Sequence, residues 1–448
     1  MNQSRTEYDL LGTVSVPENA LYGAQTQRAI RNFPVNQQPT IGDFPELIHG
    51  LLCIKQAAAR TNQQLGLLSE HQANAIQAAC KQIQHEALYA QFPLHYLHGG
   101  GGTSANMNVN EVIANLGEEI LGGTRGDYQL LHPNDHVNLH QSTNDVYPTA
   151  CHLAVISRWQ TLKPALEALQ DAFSRKIAGF GQQQRIARTC LQDAVAISFA
   201  DFLGGYRAVI ARSSRRLEQA IGHLGTVNLG GTIVGRAEDV PPMYLTTVTS
   251  ELDKIYPHAT IIQANNLFDA AQNPDDLVAV SAQLDLCARS LIKIAKDIRL
   301  LASGPEAGLG ELSIPAVQPG SSIMPGKVNP VIPEFMIQVG FRVIGNHQMC
   351  AAALDHGELD LNVWESPIVF GILDSMGLLS DALTSFSENC IAGLEVSADT
   401  NNRKADSIIA LLTELMKKHG YSTVSNICKE AEGDLNLVRQ LIREQELN

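Results

Sequence analysis

Long stretches of this chain repeat apolar residues every three or four positions, which is the spacing of one helix face. The clearest stretch runs from Leu277 to Leu301 and predicts a helix spanning roughly 37 Å at 1.5 Å per residue. Its apolar positions are Leu277, Val280, Leu284, Cys287, Leu291, Ile294, Ile298 and Leu301. Asn273 and Pro274 predict its start, and "SGP" at 303–305 predicts its end.

A second apolar stripe, from Leu153 to Ile177, also predicts a long helix, with Pro164 as a kink. Segments 191–224, 332–356 and 367–395 have helical patterns, and few segments look like strands. Such stripes need partners to cover them. The pattern therefore predicts a mainly α fold, a helix bundle that other subunits complete, rather than a monomeric helical array, because no sequence repeat is visible.

The polar, turn-rich segment 10–35 belongs to a smaller, mixed and mostly helical N-terminal domain. We predict three domains: 1–140, a central helical domain at 141–395, and a small, shortened C-terminal helical domain at 396–448. The central domain contains the Gly- and Ser-rich loop 318–330, which interrupts the helical pattern.

The net charge of the chain limits the kinds of partner that it is expected to bind. A formal charge of −14 and 17% charged residues argue against nucleic acid and against an anionic membrane surface, both of which need a basic stripe. The start "MNQSRTEYD" has no apolar leader, and no run of 18 apolar residues follows, so a cytoplasmic protein is expected. Eight scattered cysteines without a C-x-x-C pair are typical of reduced thiols rather than of disulfides or zinc.

Four polar islands separate the helical patterns. They are "HGGGGTSANMNVNEV" at 98–112, "HPNDHVNLHQSTND" at 132–145, "ARTCLQDAV" at 187–195 and "GSSIMPGKVNP" at 320–330. Any one of them alone is more often a cap or loop than a site. Together they offer hydroxyls, amides, free backbone N–H groups and one lysine, which favours binding of a small anion such as a carboxylate.

More specific motifs for phosphate binding, zinc binding or thiol chemistry do not match these islands. A P-loop needs Ser or Thr after its Gly-Lys pair, whereas Val328 follows Lys327. His132 and His136 have metal-ligand spacing, but Pro133 between them disfavours a helical zinc pair. Cys190 has no histidine in its island, which favours a structural or supporting thiol over a nucleophile. The sequence therefore predicts no metal site.

As a set, the islands resemble the aspartase/fumarase superfamily. The motif "GSSIMPGKVNP" is similar to that family's signature, and "GGTSANMNVNEV", "HPNDHVN", "QSTND", "VNLG" and "ELDLNV" match it in order over roughly residues 6–400. The resemblance implies a three-domain, mainly α fold with a central helix bundle, and a homotetramer whose active sites combine islands from different chains. The stripe from Leu277 to Leu301 is our candidate for that interface.

The resemblance implies an elimination that gives fumarate by way of an aci-carboxylate intermediate, whose second negative charge must be stabilised by several donors. It places Thr103, Ser142 and Thr143 at the carboxylate beside the acidic carbon, and Lys327 and Asn329 at the other carboxylate. Further substrate-binding residues that it implies are Ser104, Asn144, Thr189 and Ser322.

Ser321 matches the family's proposed general base, and Lys327 shares its loop. A serine becomes a base only when its alkoxide is stabilised, which backbone N–H groups of a Gly-rich turn and a nearby lysine can do. The glycines and prolines also suit a loop that closes over substrate. Supporting positions implied by the family are Cys190, Glu334 as an acid that pairs with position 190, and Asn362 in the wall of the site.

The match leaves open a secondary dicarboxylate-binding segment at 132–138, with a structural turn as the alternative. Glu311 is expected to be structural. Two features depart from the family pattern. Cys190 replaces the usual His or Gln, and Glu306 stands where an arginine is usual. Without a His–Glu pair, loss of hydroxide is less plausible than loss of ammonia, which favours the ammonia-eliminating branch acting on L-aspartate.

Three hypotheses therefore remain. The first is elimination of ammonia from L-aspartate. The second is a sister reaction, either hydration of fumarate or elimination from another succinyl compound such as an N-substituted aspartate. The third is a non-catalytic tetramer, against which the presence of Ser321, Lys327, Asn329 and Thr103 speaks. The resemblance implies no required metal or organic cofactor, with activation by divalent cations known among relatives.

Overall fold

The computed structural model describes residues 3–445 and is mainly helical. The first two residues of the predicted N-terminal domain and the last three of the predicted C-terminal domain lie outside the described residues. The helices, in chain order, are α1 Ala24–Asn32, α2 Pro45–Gln64, α3 Glu70–His85, α4 Thr103–Ile120, α5 Thr143–Phe180, α6 Phe199–His223, α7 Pro242–Ile255, α8 Leu267–Gln272, α9 Asp275–Leu301, α10 Val331–Asp355, α11 Glu365–Phe386, α12 Ala398–Ala405, α13 Ile408–His419, α14 Tyr421–Glu430 and α15 Leu435–Glu444.

Strands are few and short, as the sequence predicts. They are β1 Ser4–Asp9, β2 Gly12–Pro17, β3 Gln184–Thr189, β4 Gln192–Ser198, β5 Thr226–Val227, β6 Ile262–Gln263, β7 Leu312–Ser313 and β8 Glu395–Val396. They form four two-stranded sheets in the described chain, β1–β2, β3–β4, β5–β6 and β7–β8, of which only β5–β6 is parallel.

The predicted helix at 277–301 is confirmed as α9, which begins one residue after Pro274. The segment 332–356 is confirmed as α10. The segment 367–395 is confirmed as α11 and a π-helical turn as far as Ile391, but Glu395 belongs to β8. The prediction of continuous helix over 191–224 is wrong at its start, because 192–198 forms β4. Cys190 and Leu191 have positive φ angles of 52° and 62°, which turn the chain back on itself.

The apolar stripe of α9 lies in the core of its own chain. All eight predicted positions are at most 5% exposed. The expectation that this stripe forms the subunit interface is therefore wrong, because its side chains are already covered. The large apolar side chains that α9 and α10 leave exposed are Leu286, Leu300, Phe335 and Phe341.

The described residues form two compact units. Within residues 3–445, one unit contains 3–163, 215–286 and 341–378, and the other contains 164–214, 287–340 and 379–445. Each boundary falls inside one of the long helices α5, α6, α9, α10 and α11. In the second unit, α13 to α15 pack around an apolar cluster of their own, which includes Leu415, Ile427 and Val438. The predicted domain boundaries at 140 and 395 stay a prediction.

In the described part of the chain, one segment, Glu365–Ile391, has the length and apolar composition of a membrane span. About two thirds (67%) of its most apolar window is buried inside the protein. A buried core helix has the same composition.

Candidate active site

In the first unit, Thr103 is the first residue of the 18-residue helix α4. Its N–H donates to the carbonyl of Gly100 at 3.1 Å, whereas no backbone acceptor in the described chain takes the N–H groups of Ser104 and Ala105. These free donors lie at the positive end of the helix dipole, a place that suits a carboxylate.

The glycine before Thr103 is required by close packing. Gly102 has a φ of +84°, and a Cβ atom added there would lie 2.3 Å from the ring of Tyr147 on α5. The hydroxyl of Tyr147 is 3.0 Å from that of Ser366 on α11. This packing holds the Gly-rich loop of the first island against the helix that carries the second island.

Ser142 caps the N-terminus of α5. Its hydroxyl accepts the N–H of Asn144 at 3.2 Å, and its own N–H donates to the carboxylate of Asp145 at 3.0 Å. This reciprocal cap fixes Ser142, Thr143 and Asn144 at a second helix start.

Asp145 also ties this island to the segment 228–233. Its second carboxylate oxygen accepts the N–H groups of Gly230 at 2.8 Å and Thr232 at 3.3 Å. The side chain of Asn144 donates to the carbonyl of Ile233 at 2.7 Å. Burial raises the pKa of Asp145 to about 6, although these N–H groups oppose the shift. The motif "VNLG" at 227–230 is recognisable in the sequence, but its contact with Asp145 is not.

A buried polar network joins the first two islands. Asn106 of α4 donates to the hydroxyl of Thr143 at 3.2 Å and to the side-chain oxygen of Asn138 at 3.1 Å. Lys55 of α2 donates to Asn138 and to Gln141, each at 2.9 Å. Lys55 is 0% exposed, and burial lowers its pKa to about 7. Its only sequence signal is a single charge inside the apolar run "LLCIKQAAA".

The segment 132–138 is a tightly bonded turn. The ring nitrogen Nδ1 of His132 accepts the N–H groups of Asn134 and Asp135, both at 3.2 Å, and Pro133–Val137 forms a π-helical turn. The side-chain oxygen of Asn138 is used by Lys55 and Asn106, as described above. These contacts are those of a structural turn.

In the second unit, Thr189 ends β3 at the tip of the β3–β4 hairpin, with its partner Gln192 across the turn. Thr189 and Cys190 are both exposed. Holding Cys190 and Leu191 in the left-handed region costs about 1–3 kcal/mol each for side chains other than glycine. The hairpin thus presents Thr189 to solvent on a strained turn.

A buried ion cluster anchors this hairpin. Glu311 is 0% exposed and pairs with Arg185 and Arg188 of β3 and with Lys404 of α12. Burial opposes ionisation of Glu311, but the three cations hold its pKa below the usual value. Glu311 is therefore a structural anchor, in agreement with its expected role.

The loop 318–330 closes on itself through backbone bonds. The N–H of Gly320 donates to the carbonyl of Lys327 at 2.9 Å, and the side chain of Asn329 donates to the carbonyl of Gly320 at 2.6 Å. A Cβ atom at Gly320 would lie 2.5 Å from the carbonyl oxygen of Lys327, so only glycine fits. Asn329 thus shapes the loop in which Ser321 and Lys327 stand.

The hydroxyl of Ser321 lies inside this loop turn. It accepts the backbone N–H groups of Ile323 at 3.2 Å and Met324 at 3.0 Å. The side chain of Lys327 is exposed, and no hydrogen bond or ion pair joins its ammonium group to another described residue. Ser322 is exposed, as is Ile323, which is 84% accessible to solvent. Met324 and Val328 of the same loop are exposed too, at 48% and 46%.

Two supporting positions have defined contacts. Glu334 of α10 pairs with Arg299 of α9 at 3.2 Å, and it makes no bond to Cys190 in the described structure. Asn362 donates to the carbonyl of Ala353 at 3.3 Å and accepts the N–H of Trp364 at 2.9 Å. Asn362 therefore fixes the chain that leads from α10 into α11.

The predicted site residues fall into two groups. The first unit carries Thr103, Ser104, Ser142, Thr143, Asn144 and Asn362, and the second carries Thr189, Cys190, Ser321, Ser322, Lys327, Asn329 and Glu334. Among the described residues, no cluster of three or more His, Cys, Asp or Glu side chains could hold a metal ion.

Unpaired helix-start amides and a serine hydroxyl held by two N–H groups are features of an enzyme that acts on a small anion. A family model described as lyase matches residues 12–345. The chain is 39% identical to an aspartate ammonia-lyase from a Bacillus species over 99% of this chain and 95% of the relative. It is 40% identical to a class II fumarate hydratase from Nitrosomonas europaea over 98% and 95% of the two chains.

A solved structure gives the same result. The crystal structure of fumarate lyase:delta crystallin from Brucella melitensis bound to cobalt has a TM-score of 0.95 and 42% identity, covering 100% of this chain and 96% of that one. The chain belongs to the lyase family that includes aspartate ammonia-lyases and class II fumarate hydratases.

Proposed function

We propose that this lyase removes ammonia from L-aspartate to give fumarate. Ser321 takes a proton from the carbon beside one carboxylate, and the amino group leaves from the neighbouring carbon as ammonia. Between these steps the substrate is an aci-carboxylate with two negative charges on one carboxyl group. Its formation depends on hydrogen-bond donors that are already in place.

The observation that carries this proposal is the environment of the Ser321 hydroxyl. A serine alkoxide forms near neutral pH only where donors stabilise its charge. The N–H groups of Ile323 and Met324 already point at this oxygen at 3.2 and 3.0 Å. Lys327 lies in the same loop, and its ammonium group, which pairs with no described residue, adds positive potential.

The other islands supply the carboxylate contacts. Thr103, Ser104, Ser142 and Thr143 stand at two helix starts, where free N–H groups and hydroxyls stabilise the developing charge. Lys327 holds the remote carboxylate, and Asn329 keeps the loop closed behind it. Asn144 and Thr189 lie near the amino group in this scheme, and Ser322 contributes a further hydroxyl.

We propose that these groups meet in a homotetramer, with each active site made from several chains. The exposed apolar side chains of the loop 318–330 and of α9 and α10 supply surfaces for such an assembly, among them Ile323 at 84% and Phe341 at 60% exposed. In this proposal the enzyme is cytoplasmic and its elimination step requires no organic cofactor or metal, with divalent cations acting at most as activators.

A second function also has support. Class II fumarate hydratases are as similar to this chain as aspartate ammonia-lyases are, at 40% against 39% identity. Cys190 supports the ammonia-lyase proposal, because position 190 carries no histidine that could form a His–Glu pair to assist loss of hydroxide, and among the described residues Glu334 pairs with Arg299 instead. The reversed charge at Glu306 leaves a larger substrate, such as an N-substituted aspartate, as a further variant.

The test is a substrate panel run with purified protein. Fumarate formation from L-aspartate, L-malate and N-substituted aspartates is followed by ultraviolet absorbance. We expect kcat/KM to be highest for L-aspartate. A preference for L-malate would reject the ammonia-lyase proposal in favour of the hydratase, and a preference for an N-substituted compound would assign the sister lyase.

A further inference from the structure

The first unit contains a cavity of about 270 Å³ that none of the predicted site residues lines. It lies between the start of α5 at Thr149 and His152, the segment 226–228, the segment 264–277 and Glu365 of α11. We call it the Glu365 cavity.

Glu365 is a buried carboxyl group without a partner. It is 3% exposed, and apart from its own backbone N–H nothing in the described chain bonds it. Burial raises its pKa to about 8, so the group is protonated in much of the neutral range. An unpaired buried carboxyl costs stability unless something compensates it. Its side chain lines the cavity, where a ligand could do so.

The remaining charges of the cavity are negative. Asp269 and Asp275 are exposed at its rim, Asp276 is half-buried, and no lysine or arginine lines it. The Nδ1 atom of His152 lies 3.1 and 3.2 Å from two backbone carbonyls, so it carries the ring proton. Burial lowers the pKa of His152, which keeps the imidazole neutral.

The positions of the carboxyl groups and the volume of the cavity indicate which kind of cation it could bind. The carboxyl groups do not converge, since the described residues contain no cluster that could hold a metal ion. A volume of about 270 Å³ leaves room for a small organic cation. A primary ammonium group supplies three N–H donors and a positive charge, and a single carboxylate can pair with it.

We propose that the Glu365 cavity binds a small primary ammonium compound, with its –NH3+ group against Glu365 and the acidic rim attracting it. Such a compound requires Glu365 as the carboxylate. The other titratable groups facing it are His152 and Cys151 of α5, Tyr147 of the same helix, Asp269 of α8, and Asp275 and Asp276 of α9.

Two side chains that line this cavity also form hydrogen bonds to the second island, at 132–145. Asn228 lines the cavity and donates to the backbone carbonyl of Asn144 at 3.0 Å. Thr149 lines it as well and donates to the carbonyl of Asp145 at 2.7 Å. A bound ammonium compound would therefore stiffen the helix start that carries Ser142, Thr143 and Asn144.

The test measures binding to the full-length protein without substrate, so its outcome does not depend on the proposed reaction. Thermal unfolding and calorimetry are run with ammonium, methylammonium and propylammonium chlorides, with tetramethylammonium and potassium chlorides as controls. Primary amines should raise Tm, because a ligand that binds only the folded state stabilises it. Tetramethylammonium and potassium should not. A response to ammonium alone would assign the inorganic ion, and one that grows with chain length would assign an organic amine.

The pH dependence of amine binding tests whether Glu365 is the group that binds the ammonium. Cation binding must displace the Glu365 proton, so the affinity for methylammonium should rise about tenfold from pH 6.5 to 7.5 and level off above about pH 8. Glu365→Gln should lose both binding and this dependence. Glu70→Gln, which removes an exposed carboxylate on α3, is the matched control and should bind as the parent does.

If Glu365→Gln does not fold, the rim variant Asp275→Asn with Asp276→Asn should weaken binding severalfold. Binding that is unchanged in Glu365→Gln, or unchanged in the rim variant, would overturn the proposal. So would equal responses to methylammonium and tetramethylammonium, or no response at any pH.

Discussion

The hydroxyl of Ser321 is held by two backbone N–H groups, and its neighbour Ser322 is not. The family resemblance already indicates Ser321 as the base, although the motif contains both serines. The N–H groups of Ile323 and Met324 add a physical reason for that choice, which the sequence alone does not show. The contribution of Asp145 and Lys55 was also beyond sequence reasoning, since it depends on contacts with segments that lie far away along the chain.

Ser321→Ala is expected to lower kcat by about a thousandfold, the effect of removing a general base. Size-exclusion chromatography with light scattering should show an unchanged assembly. Ser322→Ala is the matched control and should change KM more than kcat. Equal loss of kcat in both variants, or near-normal turnover in Ser321→Ala, would remove Ser321 as the base.

Glu365 has a predictable effect on stability. Burial raises its pKa in the folded protein to about 8, above the ordinary value of 4.5, so its contribution to stability is complete below about pH 4.5 and is lost as pH rises through 8. Glu365→Gln keeps a neutral side chain at every pH. Without amines present, we expect Tm of the parent to fall more steeply than that of Glu365→Gln between pH 6 and 9. Parallel curves would contradict the burial of an unpaired carboxyl group.

Helices with long apolar stripes were predictable, and α9, α10 and α11 are confirmed. Their periodicity reports burial directly, because each stripe must be covered. The β3–β4 hairpin was not predicted. Its strands are short, and its turn uses Cys190 and Leu191 rather than the Asn-Gly pairs that mark such turns in a sequence. The family motif indicated Thr189 as a candidate site residue, but it gave no sign of the strained hairpin on which Thr189 lies.

The Gly-rich loop before α4 offers a matched pair of substitutions. Gly102→Ala would place a Cβ atom 2.3 Å from the Tyr147 ring at a φ of +84°. We expect a loss of about 1–3 kcal/mol in the free energy of unfolding, together with lower activity, because Thr103 would move. At Gly99 the nearest atom would be at 3.7 Å, an ordinary contact. Urea unfolding should leave Gly99→Ala near the parent, and equal losses in the two variants would exclude the clash as the cause.

Across the whole chain, the mainly α architecture was predicted correctly. The prediction that the α9 stripe forms the subunit interface was wrong. That stripe is buried inside the subunit, whereas Leu300, Phe335 and Phe341 stay exposed. Periodicity shows which face of a helix is covered, but it cannot tell whether the same chain or a partner covers it. The first unit carries the islands at 98–112 and 132–145 together with Asn362, and the second unit carries the islands at 187–195 and 320–330.

The assembly itself is open to direct measurement. Light scattering should give a mass of about 194 kDa, four chains of 48.5 kDa. Replacing Phe341, which is 60% exposed, with Glu should lower that mass and the activity together. A matched replacement at Leu11, which is 81% exposed at the β1–β2 turn, should leave the mass unchanged. A monomer of the parent protein at micromolar concentration would contradict the tetramer.

The central claim is that Thr103 of one chain and Ser321 of another serve the same substrate. It is tested by co-expressing Thr103→Ala and Ser321→Ala, each inactive alone, and measuring fumarate formation by the mixed protein. If the site is shared, random mixing leaves about a quarter of the sites with both native residues, and activity returns to about that fraction of the parent's. If both residues act within one chain, every site keeps one defect, and the mixture stays inactive.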